Sequence, residues 1–150
     1  MEIRTLLPPP WPLLAPLIEA SHEEGFQFLG RLEKEFLSGK ARFNANGETL
    51  LGAFEGPTII GIGGLTGDPY CDDPHTGRVR HLYVLPQWRG RGISASLLAA
   101  IELHAVAHFK TLVLRTDTSV GAEFYQSHGY ELLAAGGTST HRRLLVAGGA

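Results

Sequence analysis

The clearest periodicities lie along the second half of the chain. Between Gly92 and Lys110, Leu97, Leu98, Ile101 and Ala105 recur at helical spacing with Glu102 and His104 opposite, which predicts an amphipathic helix. Phe26, Leu29, Leu32 and Phe36 step by three and four; Arg31 and Glu35 are spaced as an exposed i,i+4 pair, and Gly39 is a stop. A shorter helix is expected over Leu13–Ala20, followed by the polar turn Ser21-His22-Glu23-Glu24-Gly25, and another over Val120–His128, ended by Gly129. Strand-like runs are Met1–Leu7, stopped by Pro8-Pro9-Pro10, and the hairpin Glu48–Phe54 and Thr58–Leu65 around Glu55-Gly56-Pro57. Arg78–Leu85 is a further strand, in which simple alternation sets Arg78, Arg80, Leu82 and Val84 on one face and Val79, His81 and Tyr83 on the other. Thr111–Thr116, Tyr130–Leu133 and His141–Val146 complete the strands, and the tail Gly148–Ala150 is expected to fray.

This order places antiparallel strands first, then strand–helix–strand, then a helix and a last hairpin. It predicts an α/β (α+β) fold: a mixed, mostly antiparallel sheet with helices on both faces and a parallel strand–helix–strand core. At 150 residues, without a repeat or a linker, one domain spanning 1–150 is expected.

Composition narrows the partners. Thirteen Lys and Arg against fifteen Asp and Glu give a net charge of −2, with no basic excess for nucleic acid. The apolar segment Trp11–Ile18 is cut by Pro12 and Pro16 and is too short to span a bilayer, and the start Met-Glu-Ile-Arg does not read as a secretory leader. A cytoplasmic protein with no membrane partner is expected. The single cysteine, Cys71, excludes an internal disulfide and a cysteine-cluster zinc site. The run Cys71-Asp72-Asp73-Pro74-His75 reads as a proline-organised polar turn, so no metal is expected.

The chemistry concentrates in Leu85-Pro86-Gln87-Trp88-Arg89-Gly90-Arg91-Gly92-Ile93-Ser94. A strand ends, two glycines appear two residues apart, and a helix begins, so backbone amides and the helix N-terminus can point at an anion. Arg89 and Arg91 are placed to clamp phosphate, and with Arg78 and Arg80 they make a local positive patch. Gly90-Arg91-Gly92-Ile93-Ser94-Ala95 also satisfies a dinucleotide fingerprint, with Asp117 as a ribose-binding acid. Against that reading stand the loop's late position, the Pro86–Arg89 spacer before the first glycine, the polar strand ahead of it and the antiparallel start.

Gln87-Trp88-Arg89-Gly90-Arg91-Gly92 resembles the Gln/Arg-x-x-Gly-x-Gly/Ala signature of the GNAT superfamily of N-acetyltransferases. His81–Pro86 resembles the strand leading into it, and Gly121–Tyr130 resembles the family's Ala-x-x-Phe-Tyr-x-x-x-Gly-Phe/Tyr ending. The resemblance refines the fold to a GNAT-like sheet of about seven strands. It implies an acyltransferase that moves an acetyl group from acetyl-CoA directly to a primary amine. The strand Arg78–Leu85 would splay from Thr111–Thr116 and admit the pantetheine, with backbone groups of Leu82, Tyr83 and Val84 pairing with it and supplying an oxyanion donor. Amides of Arg89, Gly90, Arg91, Gly92, Ile93 and Ser94 would hold the pyrophosphate, the Ser94 hydroxyl adding a contact, and Tyr125 would protonate the departing thiolate. The turn at His22, Glu23 and Glu24 would line the acceptor pocket.

Two departures from the family pattern stand out. Arg78 falls where many members carry a glutamate base, and Thr118 falls where an asparagine is frequent. Deprotonation of the amine then falls to His22, Glu23, Glu24 or His81, or to water or the bulk; His141, preceded by Ser139 and Thr140, resembles a recurrent pattern in the last strands of some members. A non-catalytic acyl-CoA-binding or sensing domain is the alternative, and a dinucleotide-binding enzyme the third. The resemblance leaves the acceptor open between a small molecule, an aminoacyl amine and a protein N-terminus, and admits a homodimer.

Overall fold

A computed structural model describes residues 1–145. Val146, the expected end of the last strand, and the tail Gly148–Ala150 lie outside the described residues. In chain order the elements are β1 (Glu2–Thr5), α1 (Trp11–Glu23), α2 (Phe28–Ser38), β2 (Thr49–Glu55), β3 (Thr58–Gly67) and β4 (Thr76–Val84). After a 3₁₀ turn at Pro86–Trp88 come α3 (Ile93–Ala105), β5 (Thr111–Leu114), α4 (Ser119–Ser127), β6 (Glu131–Leu132) and β7 (His141–Leu144). The strands form one sheet of order β1-β2-β3-β4-β5-β7-β6, in which only β4 and β5 are parallel. The expected mixed α/β sheet is what forms, and its antiparallel character removes the doubly wound dinucleotide reading.

Most helix boundaries shift for local reasons. α1 starts at Trp11 because Pro12 sits in the first turn, where its missing N–H costs nothing. The helix runs on through Ser21, which is fully buried and turns its hydroxyl onto the Ile18 carbonyl at 2.9 Å. The polar turn is thereby shortened, with His22 and Glu23 in the last helical turn. α3 ends at Ala105 rather than Lys110. Phe109 turns into the core there, and the Lys110 N–H donates to the His75 carbonyl at 2.7 Å.

Two packed layers cover the sheet. On one face α1 and α2 bury Leu14, Leu17, Leu29 and Leu32 against Phe43, Leu50, Ile62 and Tyr83. On the other, Leu97, Leu98, Ile101 and Ala105 of α3 are fully buried, as the spacing predicts. Each large apolar side chain there contributes roughly 1.5–3 kcal/mol. Phe124 and Tyr125 of α4 join this second core beside Leu112 and Tyr130.

Simple alternation fails in β4. Arg80 pairs with Gly64 and Tyr83 with Ile62, so two β4 residues, His81 and Leu82, oppose one on β3. This β-bulge is sharp enough to hold His81 at φ +60°. Arg80, His81 and Tyr83 therefore face α1 and α2, whereas Leu82 and Val84 face α3. The sequence-based grouping of Arg80 with Leu82 and Val84 is overturned.

Glycine is sterically required where β4 meets the end of α3. A Cβ on Gly77 would lie 2.8 Å from Cδ2 and 2.9 Å from Cγ of the Phe109 ring. Gly77→Ala is expected to cost about 1–3 kcal/mol through overpacking. Gly30→Ala, in α2 with nothing within 4 Å of the new carbon, is expected to gain about 0.5–1 kcal/mol. Urea midpoints at constant m value measure both, and a neutral Gly77→Ala would refute the close approach.

Candidate functional site

The site begins where two strands part. β4 and β5 pair at Thr76↔Thr111, Gly77↔Leu112 and Arg78↔Val113, and nowhere beyond. From Val79 onward β4 keeps only β3 as a neighbour, while β5 stops at Leu114 and stays with β7. The result is a gap widening toward the C-terminal ends of the two strands. The turn and loop 86–92 cross its mouth.

That loop presents donors. Gly90 and Gly92 both adopt φ +78°, a left-handed conformation open to glycine at little cost. Gly92 is the N-cap of α3, so no side chain caps the helix. Among the described residues, the amides of Gly90, Arg91, Gly92, Ile93, Ser94 and Ala95 donate to no protein acceptor. Free amides at a helix start, reinforced by its dipole, form an anion site. They border a cavity of about 280 Å³ walled by Val84, Trp88, Arg89, Ile93, Ser94 and Phe124, among others. A pyrophosphate fits this chemistry. Trp88, Ala95 and Phe124 were not singled out in the sequence as cavity residues, although Trp88 lies inside the signature.

The arginine patch is taken apart. Arg78 pairs with Asp68 at 3.4 Å and Arg80 with Glu35 at 3.1 Å, so Glu35 is not the partner of Arg31. Arg89 makes a two-pronged contact with Glu24 at 2.7 and 2.9 Å, and its Nε donates to the Val84 carbonyl at 3.1 Å. Arg91 lies over the Trp88 ring at 4.6 Å. The expected phosphate clamp of Arg89 is thus replaced by a brace. The Val84 carbonyl, expected to meet the pantetheine, already holds a protein donor.

Glu24 is the hub of that brace, since the Tyr83 hydroxyl also donates to it. Hydrogen bonds from Arg89 and Tyr83 hold its carboxyl below the ordinary carboxylate range, and burial together with Glu24 pushes the Tyr83 phenol up. A carboxylate so held is a poor base. Glu24 joins the end of α1 to the loop instead of serving as a free pocket residue. His22 and Glu23 are exposed on the last turn of α1.

Arg78 is equally committed. It is buried, donates to Ser139 Oγ at 2.9 Å and to the Thr138 carbonyl at 2.8 Å, and lies over Tyr70, so it latches the β3–β4 loop to the β6–β7 loop. Thr118 caps α4 by accepting the Gly121 N–H at 3.0 Å. Asp117 pairs with Arg115 at 3.2 Å on the surface. Asp73 accepts from the His75 N–H and the Thr76 hydroxyl, which organises the expected polar turn.

Tyr125 packs edge-on against Phe124 at 5.1 Å and Tyr130 at 5.6 Å, with the His141 ring 6.5 Å away. Its hydroxyl has no protein partner among the described residues, and burial raises the phenol's pKa, so it stays protonated at neutral pH. His141 is buried, with Nδ1 2.9 Å from Thr140 Oγ1 and Nε2 unpartnered. His81 is buried with neither ring nitrogen partnered, and burial pushes its pKa down to about 3.

The Glu24 brace has a pH signature. Because its carboxyl is lowered in the folded state, its stabilising effect is complete above the ordinary carboxylate range and is lost as pH falls through the lowered value. The difference in urea midpoint between wild type and Glu24→Gln is expected to be largest near pH 7 and to vanish at low acidic pH. A difference that stays flat down to pH 3 would show that the ion pair does not hold the loop.

Comparison with known proteins follows the same outline. Residues 46–132 match the model of the acetyltransferase (GNAT) domain. A putative acetyltransferase from Exiguobacterium sp. 255-15 superposes with a TM-score of 0.78 at 31% identity, covering 87% of this chain and 84% of that one. A GNAT-family acetyltransferase from Staphylococcus aureus Mu50 gives 0.76 at 17% identity over 97% and 99%. The ribosomal-protein-alanine N-acetyltransferase of Brucella melitensis gives 0.70 at 16% over 97% and 100%; likeness at such identities shows the fold alone. No curated protein matches. With a splayed β4–β5 pair, a glycine loop of free amides across its mouth and a family match over more than half its length, the chain belongs to the GNAT acetyltransferase family.

Proposed function

We propose that the protein transfers an acetyl group from acetyl-CoA directly to a primary amine on a small molecule or a peptide. The observation that carries this is the run of six free amides, from Gly90 to Ala95, at the mouth of the β4–β5 gap. They suit the pyrophosphate, and the open edge of β4 around Leu82 suits the pantetheine amides as a strand-like partner. In the transfer a neutral amine attacks the thioester carbonyl, the new C–N bond forms, and a β4 amide stabilises the oxyanion. As the C–S bond breaks, Tyr125 gives its proton to the sulfur and regains one from solvent.

The amine's own proton needs another route. Arg78, where many relatives place a glutamate, is a buried cation, and Glu24 is held as the brace. The reading is therefore loss of that proton to water, with the rate following the fraction of amine already neutral. The buried cation is also what favours the alternative of an acyl-CoA sensor without turnover. Release of free thiol from acetyl-CoA with amine present separates the two.

Tyr125→Phe keeps the ring and removes only the proton donor. Turnover is expected to fall on the order of 10²-fold while acetyl-CoA affinity stays nearly intact. Wild-type turnover in this variant would reduce Tyr125 to packing.

The pH profile of kcat/KM is expected to rise toward each acceptor's own pKa when two amines of different basicity are compared. An inflection shared by both acceptors, and abolished by changing His22, Glu23 or Glu24, would identify a side-chain base instead.

A further inference from the structure

We infer that the acceptor carries an anionic group, a carboxylate or a phosphate, read by a cationic pocket on the α2 side of β4. This rests on the acyl-transfer reading above. The pocket is a second cavity, about 320 Å³, between the segment that follows α2, the end of β3 and Arg80 midway along β4. Its wall includes Lys40, Arg42 and Arg80, together with Glu48 and Thr66.

Charge is the first reason. Among the described residues Lys40 and Arg42 form no ion pair; Arg42 lies 5.8 Å over the Phe36 ring and has no carboxylate partner. Arg80 has a single partner, Glu35 at 3.1 Å. Glu48 is the one carboxylate in the wall, and both its oxygens accept backbone N–H groups, from Ala45 at 3.3 Å and Gly67 at 2.9 Å. Three cations against Glu35 and Glu48 leave a local positive excess in a chain of net charge −2.

The second reason is unsatisfied polarity. Thr66, in the wall, is 5% exposed and its hydroxyl has no partner. A buried polar group without a partner is costly, and at a pocket wall it marks a place where a polar ligand or its water completes the set. The third reason is position. The first cavity lies against Val84, Ile93 and Phe124, on the α3 face; the second lies on the α1–α2 face, with β4 between them. Arg80 precedes Leu82 by two residues, about 7 Å along a strand. An anion held at Arg42 and Arg80 is thus within a short chain's reach of the opening in β4, where its amine would meet the thioester.

The test uses acceptor pairs differing in the anion: β-alanine against β-alaninamide for carboxylate, and phosphoethanolamine against ethanolamine for phosphate. The neutral member of each pair has the less basic amine, so amine chemistry alone favours it at neutral pH. We expect the reverse, a kcat/KM at least tenfold higher for the anionic member of one pair, and that pair names the anion. Lys40→Gln with Arg42→Gln is expected to raise the KM of that acceptor on the order of tenfold, the effect of a lost charge-assisted contact, and to leave the KM of acetyl-CoA unchanged. Equal or inverted preference, or a preference that survives the double variant, overturns the pocket. Phosphoethanolamine and β-alanine binding is followed in parallel by NMR shifts around Thr66 and Arg42. Binding that depends on Lys40 and Arg42 without any turnover would sustain the anion pocket and defeat the transferase reading; turnover without such binding would do the opposite.

Discussion

Between Arg78 and Val84 the fourth strand is bonded to one neighbour, and much of the molecule is arranged around that half-paired edge. A sheet interior ordinarily satisfies both sides of each strand. Here β5 is only four residues long and leaves with β7 after three pairings with β4. The bulge at His81 and Leu82 then turns the edge of β4 just past the point of separation. Gly61 and Gly63 on β3 let Leu97 and Ile101 of α3 sit directly on the sheet, so the helix whose start carries the free amides is pinned close to the gap.

Charge is managed with the same economy. An arginine-rich loop suggests binding by side-chain charge, yet three of the four arginines in the segment are tied to carboxylates on other elements. Arg78 closes two loops together, Arg80 holds α2 to the sheet, and Arg89 ties the glycine loop to α1. The donors left over for a phosphate are main-chain amides, whose geometry is fixed by two left-handed glycines and a helix start. Backbone donors hold their positions without the rotamer entropy of long side chains.

What the sequence made legible was what local rules govern. The buried stripe of α3, the hairpin β2–β3, the strand–loop–helix at 85–94 and the parting of β4 from β5 were all reached from spacing or from motif resemblance. What stayed hidden depended on partners far apart in the chain. The contact between Glu24 and Arg89 spans 65 residues and that between Arg78 and Ser139 spans 61, and no periodicity reports either. The bulge was hidden for a different reason. Alternation counts residues, and the extra one at His81 flips every assignment on one side of it, so Arg80 landed on the wrong face. Tyr125 was legible as a position; the approach of His141, from the chain's last strand, to its ring follows from the fold.

The half-paired edge also bears on how the chain avoids its own kind. A strand with one free side is a template for another strand, and edges of this sort drive chains to zip together. In most sheets the hazard sits on the outside, where charge or a short strand blunts it; here the two outer strands, β1 and β6, have four and two residues. The vulnerable edge is instead set inside a cleft, closed at its narrow end by the three pairings with β5 and stoppered at its wide end by Pro86 and by the Arg89 guanidinium on the Val84 carbonyl. A stray strand from a second molecule would have to enter from one end and break the contact with Glu24 to align. The half-paired edge is thus kept inside the molecule, and the same shape that leaves β4 open on one side withholds it from strands of other molecules.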